Sequence, residues 1–402
     1  MQRSLYKNVV LINMMTSSLG LLVRMELDAE HPRSIDSVSD DLIQDIKNVK
    51  TTEAAILLFK GLARPSRGQN KNASNRLAEA INNAIHHLFY HDVDSIRKPF
   101  RMLIRKANTP ELVNLLHEGF AKQDESGKNV YYWLSSAVSK DLIHYENVVI
   151  SLLLALIKKA YTPEAVMSLL QGFNKSTNDG HNACYVLALA ASHHAIQNPD
   201  MRTNNVIFVL QSLVKRANTP EARRLLLEGF AKSPGTTALL VEGFVKPLGQ
   251  ERYYAINAYD FLANAANRLV LHVLPKKDFV LQLFMQIFEI ADRPEDQKII
   301  LSALARFEVL TVFKDYVKAN LMSKRAGETT EAKIRRLESY LDKSHPFFPL
   351  IAEPEKQSGG IFRMFTSESS TLERLREKIN LCKKGLASGS AEVTNAGWGR
   401  FC

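Results

Sequence analysis

The chain has 402 residues, of which 46% are hydrophobic and 23% are charged, and its formal net charge is +10. This is the composition of a globular protein with room for two ordinary domains or one long array of repeats. The positive charge favours acidic partners, namely nucleic acid, anionic lipid or an acidic protein surface. Three scattered cysteines (Cys184, Cys382 and Cys402) exclude a disulfide framework and a zinc site, and favour a reducing compartment.

The N-terminal segment, residues 1–33, leaves two interpretations open. Residues 9–23 are apolar and follow Arg3 and Lys7, which is the outline of a signal peptide. The same stretch lacks a cleavage pattern, contains four polar residues and is short for a membrane span. The other interpretation is a first helix, or an extension that precedes a later start such as Met25.

Residues 34–322 contain a recurring pattern. ANTPELVNLLHEGFAK begins at Ala107, AYTPEAVMSLLQGFNK at Ala160 and ANTPEARRLLLEGFAK at Ala217, and looser copies align on Thr51 and Arg293. Matches at so many fixed offsets indicate internal repetition. The five copies share a glutamate two positions after the aligned residue (Glu53, Glu111, Glu164, Glu221, Glu295) and a basic residue thirteen positions after it (Arg64, Lys122, Lys175, Lys232, Arg306).

The repeated positions predict a helix with defined ends. Threonine favours the N-cap, proline the first turn, and glutamate the positive end of the helix dipole, while the closing basic residue suits the negative end. A glycine recurs ten positions after the threonine, in the last turn, where it costs roughly 1 kcal/mol relative to alanine. Its repetition predicts that a neighbouring helix passes close to it.

Two further helical segments follow in each unit, and no strand pattern is evident. The prediction is an all-α fold, a right-handed solenoid of about five three-helix repeats of roughly 56 residues, because such units bury their apolar faces only by stacking. This architecture resembles armadillo and HEAT solenoids in type. The unit is longer than either, and neither consensus motif is present.

The repeated pattern does not continue into the C-terminal part, residues 323–402. Residues 329–343 and 367–384 read as charged helices, with a Pro/Gly-rich linker at 344–360 and a mobile end after residue 387. The serines and glutamates that begin the second of these helices resemble the C-terminal signals of Dot/Icm type IV secretion effectors from intracellular bacteria. That resemblance implies secretion into a host cell cytoplasm; otherwise the expected location is the cytoplasm. The residues concerned are Ser367, Glu368, Ser369, Ser370, Glu373 and Glu377.

The sequence shows no motif for nucleotide binding, nucleophilic hydrolysis or zinc-dependent hydrolysis. The adjacent pairs His86–His87 and His193–His194 lie in predicted helices, where neighbours point about 100° apart and so do not form a metal clamp. Cys184 lies in an apolar stretch that indicates core. We therefore predict no catalytic, cofactor or metal site, while an enzyme site built from scattered residues stays open as a third interpretation.

The third helix of three successive units ends in a basic pair. Stacking would line these six charges along one edge, suited to an acidic partner. A competing interpretation is that the cations only satisfy helix C-terminal carbonyls and dipoles. The predicted function is a non-enzymatic, protein-binding scaffold or adaptor; the alternative is a peripheral binder of anionic lipid or nucleic acid. The predicted partner-binding residues are Arg105, Lys106, Lys158, Lys159, Lys215 and Arg216.

Overall fold

The structure is a computed structural model that describes residues 43–64, 72–86, 92–140, 146–197, 202–232, 256–272, 279–323, 328–352 and 371–387. These residues form α-helices and turns and contain no β-strand, which confirms the all-α prediction. Contacts divide the chain into two compact units, Met1–Gln286 and Ile287–Cys402. This division does not coincide with Ser323, where the sequence changes in composition. The predicted limits 1–33, 34–322 and 323–402 therefore stay predictions.

The helices of the first unit recur in groups of three, preceded by a helical segment at 43–48. The first group is α1 (Thr52–Leu62), α2 (Ala73–His86) and α3 (Asp92–Lys106). The second is α4 (Pro110–Phe120), α5 (Val130–Lys140) and α6 (Glu146–Lys159). The third is α7 (Pro163–Asn174), α8 (Ala183–Gln197) and α9 (Arg202–Arg216). After these come α10 (Pro220–Ala231), α11 (Ala258–His272) and α12 (Phe279–Ile290), the last of which crosses the division between the units.

In the first and middle rows each helix packs against its counterpart in the next group, and in the third row α3, α6 and α9 do so. The first row is α1, α4, α7 and α10; the middle row is α2, α5, α8 and α11; the third row contains α3, α6 and α9. The middle row also contacts both of the others, so it forms the centre of the core. Helix α8 is apolar around its whole circumference for this reason, and its described side chains are mostly buried.

The first-row helices begin where the repeated motif predicts. Thr51, Thr109, Thr162 and Thr219 are N-caps whose hydroxyls accept hydrogen bonds from the backbone N–H three residues on. A proline opens α4, α7 and α10. The fifth copy departs from this pattern, because Arg293 makes no side-chain cap and instead pairs with Asp296, its Nε lying 2.7 Å from Oδ2.

The repeated glycines lie where first-row helices meet their neighbours. A Cβ added at Gly119 would lie 3.1 Å from Cβ of Ala63, and one at Gly229 would lie 3.5 Å from the side chain of Asn174. Ala63 and Asn174 both lie twelve positions after the N-cap threonine of the preceding helix. The predicted close approach is therefore confirmed at Gly119, whereas the 3.5 Å at Gly229 is an ordinary contact distance.

The middle-row helices have an N-cap of their own. The side-chain oxygens of Asn72, Asn129, Asn182 and Asn257 each accept a hydrogen bond from the backbone N–H three residues on. Asn129 Nδ2 also donates to the carbonyl of Gly172, and Asn182 Nδ2 to that of Gly229, each over 2.8 Å. These two buried amides join α5 to α7 and α8 to α10, in each case the first-row helix that follows.

The second unit has its own helices and core. Beyond the end of α12 it contains α13 (Pro294–Arg306), α14 (Leu310–Leu321), α15 (Thr330–Ser339), α16 (Phe348–Ala352) and α17 (Thr371–Ala387). The ring of Phe347 is fully buried and stacks on Phe288 with centroids 5.5 Å apart. Residues 344–352, predicted as linker, are therefore part of this core, because burial of their apolar side chains outweighs the turn-forming tendency of their sequence.

Arg336 closes the loop before α15. Its guanidinium forms a two-pronged ion pair with Glu328, Nε lying 2.6 Å from Oε1, and donates to the carbonyls of Leu321 and Ser323. The two side chains are only 11% and 8% exposed. This cluster ties the last turn of α15 to the loop before that helix and to the end of α14.

Candidate functional site

The structure places all six predicted partner-binding residues at the C-terminal ends of the third-row helices α3, α6 and α9. These helices pack side by side, α6 between the other two. Arg216 at the end of α9 donates to the carbonyl of Lys158 at the end of α6 over 2.8 Å. The three basic pairs therefore lie along one edge of the first unit.

The two members of each pair have different environments. The first member is exposed in all three pairs (Arg105, Lys158, Lys215), and the second is half-buried (Lys106, Lys159, Arg216). Adjacent residues on a helix point about 100° apart, so one cation of a pair faces solvent while the other faces the preceding helix.

Two of the half-buried cations cap the helix of the preceding repeat. Arg216 donates to the carbonyl of Lys158, and Lys106 Nζ donates to the carbonyl of Val49, at the end of the 43–48 helix. These carbonyls belong to helix C-terminal turns, which leave acceptors without intrahelical donors. The hydrogen bonds of Lys106 and Arg216 therefore match the carbonyl-capping interpretation, whereas the outward members Arg105, Lys158 and Lys215 are the more exposed cations.

Sequence reasoning missed a fourth outward cation. Lys47 lies four positions before Thr51, as Arg105 does before Thr109, and it is exposed near the end of the 43–48 helix. The same offset applied to the first repeat would have found it. We call Lys47, Arg105, Lys158 and Lys215 the cationic edge.

The basic residue that recurs thirteen positions after the aligned residue has a structural role in two of its five copies, Lys175 and Lys232. Lys175 Nζ donates to the carbonyl of Ala121 over 2.9 Å, and Lys232 Nζ to that of Asn174 over 3.1 Å. Both bonds run back to the end of the preceding first-row helix. Burial lowers the pKa of Lys175, and the charge of Lys122 lowers it further. These lysines thus repeat in the first row the capping that Lys106 and Arg216 provide in the third.

Other exposed groups share the end of the unit that carries the cationic edge. Six residues after each of the cations comes the glutamate of the Thr-Pro-Glu turn or its counterpart, exposed in every case (Glu53, Glu111, Glu164, Glu221). Tyr161, three residues after Lys158, is 50% exposed. Asparagines occupy the equivalent positions 108 and 218. The edge is therefore of mixed charge, with one aromatic ring near its middle.

A buried polar pair lies inside the unit. Nδ1 of His117 is 2.6 Å from the hydroxyl of Tyr131, and both residues are fully buried. Burial, with a smaller effect of the Arg216 charge, lowers the pKa of His117 to about 3, and burial raises that of Tyr131 well above its usual value. The imidazole is therefore neutral at neutral pH, and the pair holds α4 to α5.

The histidines and cysteines of the sequence analysis fall in different places. His193 is half-buried and His194 is 1% exposed, while His87 and the side chain of His86 lie outside the described residues. Cys184 is fully buried, as its apolar context predicts, and burial raises the pKa of its thiol to about 12. Over the described parts of the chain, no three His, Cys, Asp or Glu side chains are grouped so that they could hold a metal ion.

Several predictions about the chain ends fall beyond the description. Residues 9–23 at the N-terminus, Ser367 to Ser370 and Cys402 lie outside the described residues. Glu373 and Glu377 lie on α17, both exposed. Among the helices that are described, none has the length and apolar character to cross a membrane.

Comparisons with protein-family models, with curated proteins and with solved structures find no match for this chain.

Proposed function

We propose that the first unit is a right-handed α-helical solenoid that serves as a non-enzymatic scaffold and binds acidic segments of other proteins along the cationic edge. The row-by-row packing of equivalent helices supports the solenoid. The count of five repeats includes the copy at Arg293, which lies in the second unit, and it stays a prediction.

One observation carries the binding proposal: the repeat separates each basic pair into an inward and an outward cation. Two of the inward cations, Lys106 and Arg216, each donate a hydrogen bond to a backbone carbonyl at the end of the preceding helix. The outward cations recur at one offset, four residues before the N-cap. A row of regularly spaced positive charges on a rigid support attracts and orients an acidic ligand.

The mixed charge of the edge favours a protein partner over lipid or nucleic acid. A bilayer or a phosphate backbone presents nearly continuous negative charge, and it would meet Glu111, Glu164 and Glu221 as well as the cations. An acidic protein segment can place its carboxylates at the cations and leave other residues beside the glutamates. Like-charge contacts of this kind are a common source of discrimination between partners.

The test measures binding of a fluorescein-labelled deca-glutamate peptide to the full chain by fluorescence anisotropy. The edge variant reverses the four outward cations (Lys47→Glu, Arg105→Glu, Lys158→Glu, Lys215→Glu). A matched control reverses four other exposed cations of the first unit (Lys60→Glu, Arg64→Glu, Lys98→Glu, Lys122→Glu). Three of these lie at or just beyond the C-terminal ends of first-row helices, the ends remote from the N-cap turns. Circular dichroism checks that both variants keep the helicity of the wild type.

We expect the wild type and the control to bind and the edge variant to lose binding. Equal binding by all three proteins, or by none, would overturn the proposal. Vesicles containing phosphatidylserine and a 20-base-pair DNA are measured alongside. Tighter binding of either to the wild type, lost in the edge variant and falling steeply with salt, would establish the peripheral-binder alternative instead.

Secretion into a host cell cytoplasm stays a prediction, because four of the six residues that suggested it lie outside the described part of the chain.

A further inference from the structure

The repeat sets a distance between neighbouring outward cations. Helices α3, α6 and α9 pack directly on one another, and packed helices have axes about 8–10 Å apart. Arg105, Lys158 and Lys215 occupy the same position near the ends of these helices, and Lys47 occupies it on the 43–48 helix, whose end accepts the hydrogen bond from Lys106. Successive charges along the cationic edge are therefore separated by roughly 8–10 Å.

A peptide must offer acidic residues at the same interval and on one side. An extended β-strand does this poorly, because its side chains alternate between two faces and it advances about 3.3 Å per residue. A polyproline II segment has three residues per turn and rises about 3.1 Å per residue, so every third residue faces the same way at intervals of about 9 Å. The spacing of the edge matches this second conformation.

Tyr161 supports the same conformation through a different property. Its side chain is half exposed between the outward cations Lys158 and Lys215 along the chain. Polyproline II segments dock on exposed aromatic rings, which contact the faces of proline rings. A tyrosine beside the cations therefore offers a contact for the apolar residues that separate the acidic ones.

We infer that the cationic edge recognises an acidic, proline-rich segment in the polyproline II conformation, with a carboxylate at every third residue and an apolar contact on Tyr161. This inference rests on the proposed function, because it specifies the partner of the same edge. Four carboxylates at positions i, i+3, i+6 and i+9 would meet Lys47, Arg105, Lys158 and Lys215 in order.

The experiment compares three labelled peptides of identical composition, each with four glutamates and six prolines. One has the matching interval (EPPEPPEPPE), one has alternating glutamates (EPEPEPEPPP), and one has them contiguous (PPPEEEEPPP). Anisotropy titrations use the full chain, the edge variant described above and Tyr161→Asn, which introduces the residue found at the equivalent positions 108 and 218.

We expect the matching peptide to bind at least tenfold more tightly than either isomer, and the edge variant to bind none of the three. Tyr161→Asn should weaken the matching peptide about fivefold, and it should leave deca-glutamate, which offers no proline ring, unchanged. If the three isomers bind with equal affinity and the edge variant binds none of them, the inferred spacing of one carboxylate every third residue is overturned, while the proposed function is retained. Equal binding of the matching peptide by wild type and Tyr161→Asn would overturn the tyrosine contact. Failure of deca-glutamate and of all three isomers to bind would overturn both proposals.

Discussion

Alanine at Gly172 should be far more damaging than alanine at the equivalent Gly229. Both glycines lie in the last turn of a first-row helix, so helix propensity alone favours either substitution by about 1 kcal/mol. Their surroundings differ. A Cβ at Gly229 would lie in ordinary contact, 3.5 Å from Asn174, whereas one at Gly172 would lie 2.5 Å from Cε2 of Tyr131 and closer still to Cδ2.

The Tyr131 ring has little freedom to move away from that Cβ. Its hydroxyl is hydrogen-bonded to His117, and its ring packs on Phe173 with centroids 4.9 Å apart. Overpacking of this kind costs about 1–3 kcal/mol, and a lost buried hydrogen bond costs about 1–3 kcal/mol more. After subtracting the gain in propensity, we expect Gly172→Ala to destabilise the protein by roughly 1–5 kcal/mol and Gly229→Ala to stabilise it by about 0.5–1 kcal/mol.

Urea unfolding followed by circular dichroism at 222 nm measures both changes as shifts of the midpoint. The same substitution is then made in a Tyr131→Ala background, where the obstructing ring is absent. There, with only the Cβ of Ala121 still close at 3.2 Å, Gly172→Ala should cost much less relative to its own parent. If Gly172→Ala costs as much in that background as in the wild type, the conflict with Tyr131 is not the cause and the reasoning is refuted.

Three further changes test other parts of the structure. The folded pKa of His117, about 3, lies below the unfolded value of 6.5, so stability should fall as pH drops below 6.5. Protonation of this residue in the unfolded chain should lower the free energy of unfolding by about 2 kcal/mol at pH 5. Urea midpoints that depend on pH as steeply in His117→Phe as in the wild type would contradict this. Arg336→Leu should cost about 3–5 kcal/mol, because it removes the guanidinium that pairs with the buried carboxylate of Glu328. Adding Glu328→Leu should recover part of that cost, and hydrogen exchange of α15 measures the loss. Asn129→Ala should cost about 2–3 kcal/mol in urea unfolding, since it removes an N-cap and the bond to the Gly172 carbonyl; a change under 0.5 kcal/mol would argue against both roles.

The outward and inward cations show how much of the candidate site could be predicted from the repeated sequence. The basic pairs and their common edge could be read from the repeat, because equivalent positions in stacked units lie side by side. The same reasoning, carried to the first repeat, would have identified Lys47. Which member of each pair reaches a backbone carbonyl could not be read, because Lys106 and Val49 lie 57 residues apart in the chain.

The sequence by itself determined the first-row helices and where they begin. Threonine caps, first-turn prolines and helical apolar spacing act within a few residues, and the structure places the first-row helices where those signals predict. The recurrence of these signals also predicted which helices are equivalent.

Tertiary structure alone decided which partner each recurring residue meets. The recurring glycine faces an equivalent residue of the preceding repeat in each case (Ala63, Ala121 or Asn174), but at Gly172 the ring of Tyr131 lies closer still, although the local sequences are nearly identical. The middle-row asparagines were unremarkable in the sequence, because their value lies in carbonyls more than forty residues away. Capping and turn signals act between residues that are close in the sequence, so they can be recognised from the sequence alone. These contacts instead depend on which side chains the packing of separate repeats brings together.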